Sequence, residues 1–303
     1  MKNFVILVIA LLMVFSFAFL PTSMAIANLS AKPRVPLKGI LSASASALPL
    51  GGPPPGHGPK PKPPPGPAPN KWAVVIGISK YADSSANLYN PDRDAKDMVN
   101  ALENIYGFAD DHIKLLTNKD ATADNIVASI NWLIDNENET SIVVFFYSGH
   151  GGQVDETETA KYGYPIDPEA DGMDEYIVTY DMYGIPDDYL KDKFSAIEST
   201  QFFLWFGSCH SGGMSPDLND NGRVIVAACA EAEVAWDYLL LHNTLFGYYY
   251  VDQGMLHMLG DLNGDGTVTV EEAFDYAAPL VTEQEPGQHP FIWDSDTSND
   301  LYL

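Results

Sequence analysis

The sequence predicts an α/β fold whose central sheet has about six mostly parallel strands, with helices on both faces. Three short apolar runs, residues 72–78, 141–146 and 201–206, are rich in β-branched and aromatic residues and are typical of buried strands. Segments with the apolar spacing of helices separate the first two of these runs, and such β-α-β alternation favours parallel pairing. The carboxyl ends of parallel strands meet at one edge, where catalytic groups gather.

The other elements follow from the same periodicities. Asn90 and Pro91 indicate a helix start, because proline is tolerated in the first turn, and Thr122 begins a second amphipathic helix. Residues 153–188 interrupt the alternation, and we expect them to form a polar, acidic loop beside the active-site edge. The sequence further predicts strands at 113–116, 223–228 and 291–293, and helices over 187–197, over 238–259 and from about residue 270.

The first 70 residues are predicted to lie outside the folded domain, which spans residues 71–303. Residues 1–27 have a basic start, an uncharged run over 4–20 and small residues at the end, the pattern of a signal peptide. The pattern predicts export to the medium or the cell surface; the alternative is an uncleaved membrane anchor formed by residues 4–20. Residues 28–70 are rich in Pro and Gly and are predicted to be a linker or pro-segment.

Composition excludes some functions. The 41 acidic and 16 basic residues give a formal charge of -25, which repels nucleic acid and favours cations or basic substrates. An apolar content of 46% is enough for a sizeable core. The two cysteines, Cys209 and Cys229, are too few for a disulfide scaffold, and Cys229 lies in an apolar run typical of a buried strand. A disulfide between them is the alternative.

Two short motifs carry the candidate chemistry. His150 lies in a Ser-Gly-His-Gly-Gly stretch after the strand at 141–146, and Cys209 lies in Gly-Ser-Cys-His-Ser-Gly-Gly after the strand at 201–206. A thiolate attacks a carbonyl, and a nearby imidazole must handle the protons, so the pair is typical of a catalytic dyad. The backbone N–H groups of Gly151 and Cys209 are candidates to stabilise the oxyanion. The neighbouring His210 is a competing imidazole.

Both motifs resemble those of the caspase-fold cysteine peptidases, and most closely the metacaspase branch, with legumain and gingipain as more distant members. The likeness runs from about residue 72 to the C-terminus and includes the Ile-Gly-Ile-Ser-Lys-Tyr stretch at 76–81. The resemblance implies a caspase-like three-layer sandwich. It also implies that Cys209 is the nucleophile and that His150 is the proton donor and acceptor.

The same resemblance implies a substrate preference. Metacaspases place carboxylates in the primary pocket to accept Arg or Lys, one at the helix start where Asp94 stands and one two residues before the cysteine. The second position here is Gly207, so Asp94 is expected to act with Asp155 or Asp174 as substitutes. The alternative for Asp94 is a helix-start residue that interacts only with the helix dipole.

Calcium is the predicted cofactor. Residues 261–272 match the twelve-residue EF-hand loop, with oxygen ligands at the required spacing and Gly266 at its sixth position. The predicted ligands are Asp261, Asn263, Asp265, Thr267 and Glu272. A second candidate calcium site, which resembles a low-affinity site of metacaspases, comprises Asp171, Asp174, Glu175 and Asp217. Solvated acidic surface is the alternative for this second set.

These observations predict a secreted, calcium-dependent cysteine endopeptidase that acts as a monomer on peptide or protein substrates, after Arg or Lys. Two alternatives stay open: a legumain-like asparaginyl endopeptidase, favoured by Gly207, and a catalytically inactive calcium-binding surface module, favoured by the EF-hand-like loop and the proline-rich spacer. A membrane partner is expected only if the N-terminal segment stays uncleaved.

Overall fold

The structure, a computed structural model, describes residues 35–36, 70–164 and 171–303. The predicted signal peptide and nearly all of the predicted linker therefore lie outside the described residues. Within the described part, no helix is both long enough and apolar enough to cross a membrane.

The described residues form short and medium-length elements. The strands are β1 (Val35–Pro36), β2 (Lys71–Gly77), β3 (Ile113–Thr117), β4 (Ile142–Ser148), β5 (Gly151–Asp155), β6 (Met173–Val178), β7 (Tyr183–Pro186), β8 (Phe202–Gly207), β9 (Arg223–Ala227) and β10 (Phe291–Asp294). The α-helices are α1 (Pro91–Asn104), α2 (Ala123–Asn136), α3 (Glu156–Thr159), α4 (Asp187–Phe194), α5 (Met214–Leu218), α6 (Leu245–Gly247) and α7 (Val270–Gln284), and a π-helix spans Tyr248–Leu256.

The central sheet confirms the predicted α/β class. Its six strands lie in the order β10-β9-β8-β4-β2-β3, and all neighbours are parallel except β10, which runs antiparallel to β9. Alternate residues of each strand point to opposite faces. One face packs against α1, the π-helix and α7, and the other packs against α2, α4 and a second sheet. This is the three-layer arrangement implied by the resemblance.

Aromatic residues fill the core on the α1 face. The Trp205 ring stacks on Phe146 at 4.2 Å between centroids and on Phe246 at 5.5 Å. All three side chains are buried. Because Trp205 lies on β8 only four residues before Cys209, this stack holds the end of β8 rigidly beneath the candidate site.

The expectation of a loop over residues 153–188 is wrong. The region contributes β5, β6 and β7, which form an antiparallel sheet with β1 in the order β1-β7-β6-β5. The apolar run 176–178 lies on β6 and is buried against the central sheet. Sequence patterning missed these strands because acidic residues at buried positions, such as Asp174 and Glu175, hide the alternation.

Two predicted helices have different bounds. The helix expected over 238–259 begins only at Leu245, because the Thr244 hydroxyl caps it by accepting the N–H of Gly247 at 3.0 Å. It continues as the π-helix Tyr248–Leu256. The helix expected over 187–197 ends at Phe194.

Candidate active site

The register of two strands places His150 and Cys209 at one edge of the sheet. Ser148 at the end of β4 pairs with Gly207 at the end of β8, and each candidate residue lies two positions further along its chain. The N–H of Gly149 donates to the Gly207 carbonyl at 3.2 Å, so the pairing continues beyond the strands. Neighbouring strands lie about 4.8 Å apart, which brings the two motifs into contact.

Gly151 fits closely against the Cys209 turn. A Cβ atom at Gly151 would lie 2.6 Å from the Cys209 carbonyl oxygen and 2.7 Å from Ser208 Oγ, so only glycine fits without a shift. Ser208 Oγ is buried and has no hydrogen-bond partner within the described part of the chain. Contact between these backbones is the arrangement that the predicted oxyanion donors require, and the donor role itself stays a prediction.

Tyr81 joins the two motifs. Its hydroxyl accepts the backbone N–H of His150 at 2.8 Å, and its ring lies 5.0 Å from the imidazole. Burial raises the pKa of Tyr81, and the nearby Cys209 raises it further. Tyr81 therefore remains a neutral phenol, which can both accept this N–H and donate its own proton. In the sequence, Tyr81 stands out only as the last residue of the stretch 76–81, with no role assigned to it.

The orientation of the imidazole is fixed by a backbone carbonyl. His150 Nε2 lies 2.8 Å from the oxygen of Ala86, in the 3-10 turn Ser84–Ala86. A carbonyl only accepts, so Nε2 carries the proton and Nδ1 is left as the base. The backbone of His150 is held as well, because its carbonyl accepts a hydrogen bond from the Tyr147 hydroxyl at 2.6 Å.

The side chain of His210, the alternative imidazole, makes a different contact. Its backbone is in the left-handed region at φ 60°, and its Nδ1 lies 2.8 Å from the Glu231 carbonyl. The side chain is therefore held against the segment after β9. The other thiol, Cys229, is buried as predicted, and both cysteines are free in this structure.

Burial sets the protonation states of the dyad. It raises the pKa of the Cys209 thiol, and it lowers the pKa of His150 although the bond to Ala86 opposes that shift. Both shifts favour the uncharged forms, so the resting pair is a thiol beside a neutral imidazole. In a dyad with these protonation states, attack by the thiol on a carbonyl requires transfer of its proton to the imidazole.

Alkylation of Cys209 by iodoacetamide is expected to be slow at pH 7 and to keep accelerating above pH 9. The reason is that burial holds the thiol pKa above its ordinary value of 9.0, so the thiolate fraction still grows there. Mass spectrometry between pH 5 and 10 measures the rate. Cys229 is the internal control, because it is fully buried with a pKa raised to about 12. A rate that is already constant from pH 6 upward would contradict this.

Asp94 occupies a buried position behind the dyad. Its carboxylate accepts hydrogen bonds from Ser148 Oγ at 2.7 Å, from Thr244 N at 3.0 Å and from Thr244 Oγ1 at 2.7 Å. Burial raises the pKa of Asp94 to about 7. In this arrangement Asp94 ties α1 to β4 and to the segment before α6, and Thr244 covers it. No sequence pattern identified Ser148 or Thr244 as partners of Asp94.

A physical reason explains why position 207 holds glycine. A Cβ atom at Gly207 would lie 2.4 Å from Cζ3 of Trp205, whose indole fills the space that a side chain would take. A carboxylate at this position is therefore incompatible with Trp205 in the core.

The structure does not bring Asp155 or Asp174 to the dyad. Asp155 is exposed at the far end of β5 and accepts the N–H of Thr157 at 2.8 Å as the cap of α3. Asp174 is buried opposite Val154 and accepts a hydrogen bond from Thr159 Oγ1. Both lie about 10 Å or more along the hairpin from Gly151. Their placement favours local structural roles over the expected contact with substrate.

The EF-hand-like loop has several features of such loops. Gly266, at its sixth position, has φ 86°, and Val268 at the eighth position is buried in the core. Asp261 accepts the N–H groups of Gly264 and Gly266 at 2.8 and 3.0 Å. Glu272, at the twelfth position, forms a capping box at the start of α7. Asn263 and Asp265 accept N–H groups within the loop, including that of Thr267.

Most carboxylates of the second predicted calcium set are buried, together with two further acidic side chains. Asp174, Glu175 and Asp217 are buried, and Asp187 and Asp188, which the sequence analysis did not assign, are buried with them. Glu175 N donates to Asp187 Oδ2 at 3.0 Å, and Lys191 Nζ donates to Asp217 Oδ1 at 2.9 Å. The sequence signal for Asp187 and Asp188 was a pair of consecutive acidic residues at the start of the predicted helix over 187–197.

Asp171 differs from the rest of this set. It is exposed and accepts the N–H of Met173 at 3.0 Å. In residues 70–164 and 171–303, no three His, Cys, Asp or Glu side chains are already gathered around one metal-sized point. Both sets consist of oxygen donors of the kind that calcium binds. In this structure, most of these oxygens accept hydrogen bonds from the protein.

The fold and the two adjacent motifs together define a domain with a caspase-like architecture. The chain belongs to the caspase-domain family, because the family model described as Caspase domain matches residues 70–302. The metacaspase resemblance is borne out by relatives of about 30% identity.

Two relatives and one solved structure illustrate the likeness. Over 156 residues the chain is 34% identical to Metacaspase-1 of Meyerozyma guilliermondii, covering 47% of this chain and 35% of the relative. It is 31% identical over 156 residues to Metacaspase-4 of Arabidopsis thaliana, covering 50% and 35%. The chain thus matches about a third of the length of these relatives. The crystal structure of a Geobacter sulfurreducens protein shares the fold, with TM-score 0.56 and 20% identity over 76% of this chain and 95% of that protein.

Proposed function

We propose that this protein is a secreted, calcium-dependent endopeptidase that cleaves peptide or protein substrates after Arg or Lys. The observation that carries the proposal is the placement of His150 and Cys209 at matching positions beyond two paired strands, in a chain of the caspase-domain family. The signal-like composition of residues 1–27 supports export.

The geometry supports a two-step hydrolysis. Cys209 Sγ attacks the carbonyl carbon of the substrate while its proton moves to Nδ1 of His150. The N–H groups of Gly151 and Cys209 stabilise the oxyanion, and His150 then protonates the leaving amine. Water, deprotonated by the same imidazole, releases the acyl group and restores the thiol.

Two carboxylates support cleavage after a basic residue. Asp94 lies behind the end of β4, and Asp237 lies two residues beyond Ala235, whose carbonyl oxygen is 3.9 Å from Cys209 Sγ. A cationic side chain beside these carboxylates would favour their ionised form, which burial disfavours in Asp94, and the net charge of -25 also attracts a basic substrate. A long basic side chain would reach Asp94 only after Thr244 moves, so we expect substrate to displace the segment before α6.

A panel of fluorogenic peptides that differ only in the residue before the cut tests this proposal. The residues are Arg, Lys, Asn, Asp and Ala, and each peptide is assayed with calcium and with a chelator. We expect hydrolysis of the Arg and Lys peptides only, and only with calcium. Preference for Asn would favour the asparaginyl alternative, and no hydrolysis of any peptide would favour the inactive calcium-binding module.

Two sets of residues are the proposed calcium ligands. The first is the loop set Asp261, Asn263, Asp265, Thr267 and Glu272. The second is the buried set Asp174, Glu175, Asp187, Asp188 and Asp217. A bound cation would neutralise mutually repelling carboxylates and fix the backbone that carries them. Asp174 and Glu175 of the buried set lie on β6. The N–H of Val178, also on β6, donates to the His150 carbonyl at 3.0 Å, so a cation that fixes β6 would also fix the backbone of His150.

Calcium is expected to raise the Tm of the full-length chain by roughly 5–10 °C at about a hundred times its Kd. Asp265→Ala should reduce this shift, because it removes a ligand from the loop. Asp217→Asn should instead reduce the calcium dependence of hydrolysis, because it removes a charge from the set beside the second sheet. Asp135→Ala, at an exposed site on α2, is the control. Unchanged calcium responses in both test variants would refute these sites.

A further inference from the structure

The strand β1 lies in the region that the sequence analysis assigns to a linker, yet its backbone pairs with the catalytic domain. Val35 pairs antiparallel with Gly184, and Pro36 pairs with Tyr183, both on β7. β7 has β6 on its other side, so β1 occupies what would otherwise be the open edge of the second sheet. Such an edge offers backbone N–H and C=O groups to an extended chain.

Backbone contacts connect this added strand with the catalytic histidine. Gly184 pairs with Val178 of β6, and the N–H of Val178 donates to the His150 carbonyl at 3.0 Å. With about 4.8 Å between neighbouring strands, Val35 lies roughly 14 Å from the backbone of His150. The upstream chain is therefore anchored close to the active site.

Charge is divided unequally between the upstream chain and the domain. Every one of the 41 acidic residues lies at Asp83 or beyond. The charged residues before β2 are all basic: Lys2, Lys32, Arg34, Lys38, Lys60 and Lys62. The domain therefore attracts the upstream chain, and Lys32, Arg34 and Lys38 all stand within three residues of β1.

We propose that the edge of β7 is a docking surface for the chain's own basic segment, residues 32–38, which completes the second sheet as a fourth strand. The segment is thus part of the catalytic domain and not a passive spacer. The remaining proline-rich chain then connects two anchored points, β1 and β2. This docking requires neither calcium nor peptidase activity, so it can be tested apart from the proposed function.

Hydrogen exchange of the full chain tests the docking, in a Cys209→Ala background that excludes self-cleavage. Deletion of residues 32–38 is expected to make the β7 amides exchange about tenfold faster. Deletion of residues 44–50, equal in length and upstream of the domain, is the matched control and should leave β7 protected. Amides of β2 report global stability and should be unchanged in both variants.

Charge variants test the electrostatic contribution. Arg34→Glu with Lys38→Glu should speed β7 exchange, whereas Lys60→Glu with Lys62→Glu changes the net charge equally and should not. A synthetic peptide of residues 31–39 should restore protection to the chain that lacks residues 32–38, and the same peptide with glutamate at positions 34 and 38 should restore less. Equal β7 exchange in the parent and in the chain lacking residues 32–38 would overturn the proposal.

Discussion

Replacing Cys209 with alanine is expected to lower kcat/KM for the preferred peptide by at least about 10³-fold, because the attacking atom is removed. Stability should change little, since the thiol is only partly buried and makes one weak hydrogen bond, to the Ala235 carbonyl at 3.9 Å. Progress curves on the fluorogenic peptide give kcat/KM, and thermal unfolding gives the Tm.

The second thiol provides the control. Cys229→Ala removes a sulfur that is buried against the Ser208 and Glu233 carbonyls, and it should leave kcat/KM within a few-fold of the parent. His150→Ala should resemble Cys209→Ala, because the two side chains act as one unit. Hydrolysis that survives Cys209→Ala would require a different nucleophile and would refute the dyad.

The sequence predicted the central sheet well because its strands are buried on both faces. Short, continuous apolar runs rich in β-branched and aromatic residues, such as the one in β4, favour a strand of this kind, and a candidate catalytic motif at the end of each run points to the shared edge. The structure places His150 and Cys209 there, with the register of β4 and β8 as the cause.

The second sheet could not be predicted in the same way. Its strands carry glycines and carboxylates, and the burial of Asp174 and Glu175 depends on tertiary partners that local patterning does not contain. Glu175, for example, accepts a hydrogen bond from Gln153 Nε2 at 2.7 Å across the hairpin. β1, which extends this sheet, lies outside the predicted domain altogether.

The partners of the dyad were also beyond sequence patterning. The group that fixes the tautomer of His150 is the carbonyl of Ala86, and a backbone atom leaves no signature in residue types. The absence of a side chain at position 207 was visible, but its cause was not. Only the fold shows that Trp205 fills the space above Gly207.

Gly151→Ala is expected to lower kcat/KM by about 10²-fold, because the new methyl group forces apart the two motifs that form the site. Its Cβ would come 2.6 Å from the Cys209 carbonyl oxygen, and a backbone atom cannot rotate away as the end of a side chain can. Displacement of the nucleophile or the oxyanion donors by about 1 Å is enough for a loss of this size. The overpacking should also cost about 1–3 kcal/mol of stability.

Gly287→Ala is the matched control for this substitution, because nothing lies within 4 Å of its Cβ position. It should retain full activity and an unchanged Tm. Alkylation by iodoacetamide shows whether activity is lost because Cys209 is displaced or because the variant is unfolded. If Gly151→Ala is folded, the pH dependence of Cys209 alkylation should still show a raised thiol pKa, as in the parent. Parent-like kcat/KM in Gly151→Ala would mean that the two motifs are less tightly apposed during catalysis than their backbone contact implies.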